Sequence, residues 1–145
     1  MKIMKIMKIL NEKPPEKILN GIFGAGMAPN LGNVIFTHGD TIYNPSGRDV
    51  PDYLIAHESI HTIQQGDDPD AWWERYLRDP YFRLQQETEG YAVQFAFICN
   101  KVKDRNQRFK ILLALARSLS GPTYGSMIGH SAAMKMIKER SKVKP

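Results

Sequence analysis

Cysteine occurs once in the chain, at Cys99. A single thiol excludes an intramolecular disulfide framework and any zinc cluster built on several cysteines. It suits a reducing cytosol. Long apolar runs are missing as well. No stretch approaches the roughly 18 apolar residues of a membrane span. The opening "MKIMKIMKI" has the look of a leader, but a secretory core needs roughly 7–15 uninterrupted apolar residues. Here Lys2, Lys5 and Lys8 break the run, and "NEKPPEK" follows with no small-residue cleavage site. The expectation is a soluble, cytoplasmic protein with no membrane partner.

What is present fits one domain. The chain has 145 residues, of which 42% are hydrophobic, enough for a modest core. The formal net charge is +5. Much of the excess sits at the two ends, in Lys2, Lys5 and Lys8 and in Lys135, Lys138, Arg140, Lys142 and Lys144. End-loaded cations bind nucleic acid or anionic lipid. They also occur on plain solvated termini, which is the preferred reading. No nucleic-acid motif accompanies them, so nucleic acid ranks last among the partners.

Residues 1–20 read as an N-terminal basic arm that ends in a polar link at Pro14 and Pro15. Residues 21–145 read as the single domain. The glycine-rich "GIFGAGMAPNLG" reads as loop. In "NVIFTHGDTIYNPSG", two β-prone runs flank His38-Gly39-Asp40, which predicts a hairpin. The remainder reads as helix. Pro51 and Asp52 suit a start and Gly66 an end. Asp68-Pro69 and Asp79-Pro80 repeat one device, an N-cap aspartate with proline at the first helical position. They open "PDAWWERYLR" and "PYFRLQQETEGYAVQFAFICNKV". Further helices are predicted over "QRFKILLALARSL" and "HSAAMKMIKER", with a break at "SGPTYG". The fold class is therefore α+β and mostly helical: a short hairpin followed by four or five helices.

The stretch "LIAHESIHTIQQ" carries the chemistry. His57 and His61 are four apart, so on a helix they share a face and can grip one ion. Glu58 falls beside that face, where it can take a proton from a water activated by the metal. At 100° per residue, Ile55, Ala56, Ser59, Ile60 and Ile63 fall on the opposite, apolar side. The pattern predicts a zinc helix with one face on the core and the other on a cleft. The plain alternative is a helix that carries two histidines.

A catalytic zinc site takes three protein ligands and leaves a position open. Gln64 and Asp67 stand where a metzincin would have its glycine and third histidine, which leaves a glutamate on a later helix. The candidates are Glu87 and Glu89. They are two apart, so only one can face the metal. Glu87 shares its face with Leu84, Tyr91, Phe95 and Ile98, and a carboxylate among buried apolar residues needs a partner. Glu87 is preferred and Glu89 is the alternative.

With "HESIH" and "ETEGY", the chain resembles the gluzincin metallopeptidases. The resemblance implies His57, His61 and Glu87 as zinc ligands, Glu58 as general base and a zincin-like minimal core. Gluzincins often place an aspartate four residues after the ligand glutamate to support a histidine. Here that position is Tyr91, whose hydroxyl would take over the support. Over residues 35 to 98, the stretches "HESIHTIQQ", "WWERYLRDPYFR" and "ETEGYAVQ" also resemble small bacterial and phage HExxH proteins, a group that carries a metallopeptidase label and no assigned substrate.

Other residues invite a role. The hairpin that ends at Tyr43 is either a shelf that pairs with a peptide strand or a plain structural hairpin. Tyr124 and His130 have the chemistry to stabilise an oxyanion, but nothing in the sequence brings them to the zinc. A loop tyrosine and a surface histidine are the preferred readings. His38 is a turn histidine and an alternative ligand. Trp72, Trp73 and Tyr76 are expected to pack the ligand helices together. Cys99 reads as core.

The leading expectation is a zinc metallopeptidase acting on a peptide or protein substrate, with Zn2+ on His57, His61 and Glu87 and Glu58 as base. The alternative is a non-catalytic zinc-stabilised binding or structural module.

Overall fold

The computed structural model describes residues 7–23 and 34–144. A small sheet and six helices build it, which is an α+β arrangement dominated by helix. The elements run β1 (Lys8–Leu10), α1 (Glu16–Phe23), β2 (Phe36–His38), β3 (Thr41–Tyr43), α2 (Asp52–Gln65), α3 (Pro69–Arg78), α4 (Pro80–Lys101), α5 (Arg105–Ser120) and α6 (His130–Ser141). One tight helical turn, Pro122–Tyr124, joins the last two helices. Among the described residues, no helix is long and apolar enough to cross a membrane.

β2 and β3 form the expected antiparallel hairpin, with Phe36 opposite Tyr43 and His38 opposite Thr41. Gly39 sits in its turn at φ 63°, where glycine carries no steric penalty. The third strand comes from the stretch read as an arm. β1 lies parallel to β3, with Ile9 opposite Ile42, so among the described residues the order is β1-β3-β2 and β2 is an edge. The two prolines read as a link lead into α1, where the Pro15 carbonyl accepts from the Ile18 and Leu19 amides. Ile18 is fully buried against Phe36, Trp72 and Trp73. Within the stretch read as an arm, Lys8–Leu10 thus pair into the sheet and α1 buries Ile18. The glycine-rich stretch read as loop lies mainly outside the described residues, and its first three residues close α1.

The helix starts follow their capping residues. Asp68 accepts from the Ala71 amide, and Asp79 accepts from the Tyr81 and Phe82 amides. Each takes up donors that the first turn leaves unpaired. Gly66 ends α2 at φ 57°. α2 and α4 pack along each other, α2 also meets β2, and α6 lies against α4 and α5. Leu84, Phe95 and Cys99 of α4 join Leu112, Ala116 and Leu119 of α5 and Ala133 and Ile137 of α6 in one core. Cys99 is a core residue, as expected.

Candidate metal centre

The centre of α2 is buried on more sides than its pattern predicts. Ala56 and Ile60 point into the protein, and so do His57, Glu58 and His61, each less than a tenth exposed. Ile63, expected on the apolar face, is 51% exposed. The reason is packing on both flanks, with β2 against one side of α2 and α4 against another.

α4 brings Glu87 onto the two histidines. Glu87 Oε1 lies 3.0 Å from His57 Nε2 and 3.1 Å from His61 Nε2. The three donor atoms lie within 4.8 Å of one another, and all three residues are buried. Glu89, the alternative, is not part of this group. The helical phase that set Glu87 among apolar residues therefore selected the carboxylate that reaches the histidines.

The outer nitrogens are held as well. His57 Nδ1 meets Gln94 Oε1 at 3.0 Å, and His61 Nδ1 meets Gln64 Oε1 at 2.7 Å. Gln64 in turn donates from Nε2 to the Gln86 carbonyl at 3.1 Å, which fixes its amide so that the oxygen faces His61. His61 Nδ1 is then the donor, and its neutral ring turns the lone pair of Nε2 toward Glu87; with Gln94 Oε1 facing Nδ1, His57 takes the same tautomer. Two lone pairs and a carboxylate facing one another need a positive charge among them. A divalent ion provides one, and two imidazoles with a carboxylate are a zinc ligand set. Without an ion, protons do the same work. Burial disfavours the His61 cation, but the charge and hydrogen bond of Glu87 outweigh it and push His61 up to about 9. Burial likewise disfavours the Glu87 anion, yet His61 and His57 hold it well below the usual carboxylate range.

Glu58 stands next to this group and outside it. Its Oε1 accepts from the Thr37 hydroxyl at 2.8 Å, and its Oε2 is 3.8 Å from His57 Nε2. Thr37 belongs to β2, so the hairpin aims the carboxylate. Tyr76 donates to Glu87 Oε2 at 2.5 Å. Burial, then the Glu87 charge, keeps that phenol protonated far above its ordinary value.

Trp72 ties the two ligand helices together as expected, whereas Trp73 ties α3 to β2. Trp72 packs on His61 at 5.3 Å between ring centres and donates to Gln86 Oε1 at 2.8 Å. Trp73 donates to the Thr37 carbonyl at 2.8 Å. Gln65 Nε2 donates to that same carbonyl at 2.8 Å. A peptide strand laid along β2 would therefore find the Thr37 acceptor already taken. Ile35, next along this edge, lines the cleft. Tyr43 is on the central strand and packs beside the Ile18–Trp72 cluster.

A cleft of about 500 Å³ opens onto His57, Glu58, His61 and Glu87. Tyr124 lines it too, so the chain brings this loop tyrosine to the site. Tyr91 supports His57 differently from expectation. Its ring stands edge-on to the imidazole at 4.7 Å, while its hydroxyl shares a hydrogen bond with Tyr124 at 3.1 Å. The support expected of Tyr91 comes from Gln94. Burial holds the Tyr124 phenol well above its ordinary value, with the Glu87 charge adding to the effect. His38 and His130 are elsewhere: His38 pairs with Asp70 at 2.8 Å, and His130 meets the Leu113 carbonyl at 3.2 Å.

Sequence reading missed Thr37, Gln64 and Gln94 as supports. Gln64 was within reach, because it lies three residues after His61 on the same helix. Compared with known proteins, the chain matches no family model, no curated protein and no solved structure.

Proposed function

We propose that the chain is a zinc-dependent peptidase, with the ion held by His57, His61 and Glu87. One observation carries the reading: a fourth buried polar side chain, Glu58, is anchored by Thr37 beside the three ligand atoms and is not one of them. A purely structural zinc site has no use for a buried carboxylate kept in reserve. Zinc, when bound, polarises a carbonyl and lowers the pKa of a water. Glu58 then takes the proton of the attacking water and passes it to the departing amine. Thr37 holds the carboxylate for that transfer. Tyr124, protonated and facing the cleft, is the donor available to a developing oxyanion. Gln64 and Gln94 keep the rings turned inward.

The test is zinc content by elemental analysis, run beside hydrolysis of a peptide library. Wild type is compared with His57→Ala, Glu58→Gln, Glu87→Ala and Glu89→Ala. About one zinc per chain is expected in wild type, Glu58→Gln and Glu89→Ala, with loss in His57→Ala and Glu87→Ala. Hydrolysis is expected to collapse in Glu58→Gln. Undiminished hydrolysis in that variant would sink the mechanism. Tight zinc binding with no hydrolysis in wild type would favour the structural module.

A further inference from the structure

We propose that a groove between the start of α5 and the end of α6 binds single-stranded nucleic acid, apart from the metal centre. The charge of the chain is divided unevenly. Residues 101–145 hold eleven of the 20 Lys and Arg and two of the 15 Asp and Glu, a net of +9, while residues 1–100 net −4. In the sequence these cations look like a basic tail. The fold gathers them, because α5 and α6 pack against each other.

The result is a concave site of about 660 Å³ lined by Lys103, Arg105, Arg108, Lys138 and Lys144, with Phe109 beside them. Among the described residues, none of these five cations lies within ion-pair distance of a carboxylate. The one acid of the groove, Asp104, is occupied as the N-cap of α5, accepting from the Gln107 amide at 2.9 Å. Arg108 uses Nε and Nη2 on the Val102 and Cys99 carbonyls, both at 2.6 Å, and so is fixed in place.

Asp104 caps α5, and beyond it the first turn carries Arg105 and no further acidic residue. One carboxylate thus faces the five cations of the groove and the positive end of the helix dipole, which leaves the site net positive.

Phe109 selects the kind of polyanion. It is 54% exposed and, among the described residues, the one exposed large apolar side chain of α5 and α6. A lone aromatic among cations is the pattern that stacks an unpaired base while neighbouring cations follow the phosphates. A duplex offers no free base face, and a bilayer is met by several apolar side chains on one surface.

The experiment is fluorescence anisotropy of a labelled thymidine oligomer of about 20 nucleotides with the full chain across a salt series. Binding that weakens with salt at a log–log slope of about −3 is expected if four or five phosphates are neutralised. Arg105→Glu/Lys138→Glu should lose at least about tenfold in affinity. Arg117→Glu/Lys135→Glu makes the same charge change outside the groove and should stay within about threefold. Phe109→Ala should lose about tenfold on the single strand with its salt slope unchanged. An unchanged thermal midpoint in each variant verifies the fold. No binding at low salt, equal losses in the two double variants, or tighter binding to phosphatidylglycerol vesicles than to the oligomer would overturn the proposal.

Discussion

Gly90 lies against the face of His57. A Cβ built on Gly90 would stand 2.7 Å from His57 Nε2 and 2.9 Å from Cε1. The glycine is in the middle of α4 with an ordinary helical φ, so the imidazole, not the backbone, explains its place there. The ring has little freedom to give way, being held by Tyr91 and Gln94. Gly90→Ala therefore sets two effects against each other. Helix propensity gains up to about 1 kcal/mol. The His57 ring must shift to relieve the contact. Zinc affinity is expected to fall about tenfold or more while the thermal midpoint changes little. A zinc titration beside a thermal melt checks this, and unchanged affinity would mean that the ring moves freely.

Thr37→Val keeps the shape of the side chain and removes the donor to Glu58. Thr37 is 1% exposed, and a valine there offers Glu58 Oε1 no donor. A hydrogen bond to a charged group is worth about 1.5–3 kcal/mol, which corresponds to a factor of roughly 10–100. Peptide hydrolysis should fall by that factor with zinc content intact. Loss of zinc together with activity would show that Thr37 supports the whole site and not Glu58 alone.

The legible parts of this chain are those whose signals are local. His57, Glu58 and His61 were readable because four residues make a helical turn, and Glu87 because its neighbours at that period are apolar. Asp68 and Asp79 announced two helices through their own side chains. β1 was not legible, since its three residues pair with a strand more than thirty positions away and a three-residue strand has no period to read. α1 is eight residues long, and Pro14 and Pro15 before it lack the capping aspartate that marks the helix starts at Pro69 and Pro80. Gln94 supports a histidine 37 residues earlier, a contact that only the packing of α2 on α4 creates.

That contact gives a test of how far His57 depends on its support. Gln94→Leu fills similar space and takes away the acceptor of the Nδ1 proton. Loss of such a partner typically lowers metal affinity about 10–100-fold. Gln94→Glu keeps an acceptor oxygen and should retain most of the affinity. If both variants bind zinc as wild type does, the tautomer is set by something other than Gln94.

Asp70 joins α1, the hairpin turn and α3, taking Lys17 Nζ at 2.7 Å and His38 Nε2 at 2.8 Å. The Lys17 hydrogen bond, followed by that of His38, lowers the Asp70 pKa below its ordinary value. A depressed carboxylate pKa in the folded state contributes stability above the unfolded value of about 3.9. That contribution is lost as pH falls through the folded value. Asp70→Asn should therefore lower the denaturation midpoint slightly at about pH 6, by the small amount typical of exposed pairs. The gap to wild type should close as the pH drops below about 3. A gap that persisted or widened on acidification would mean that Asp70 acts through its shape and not its charge.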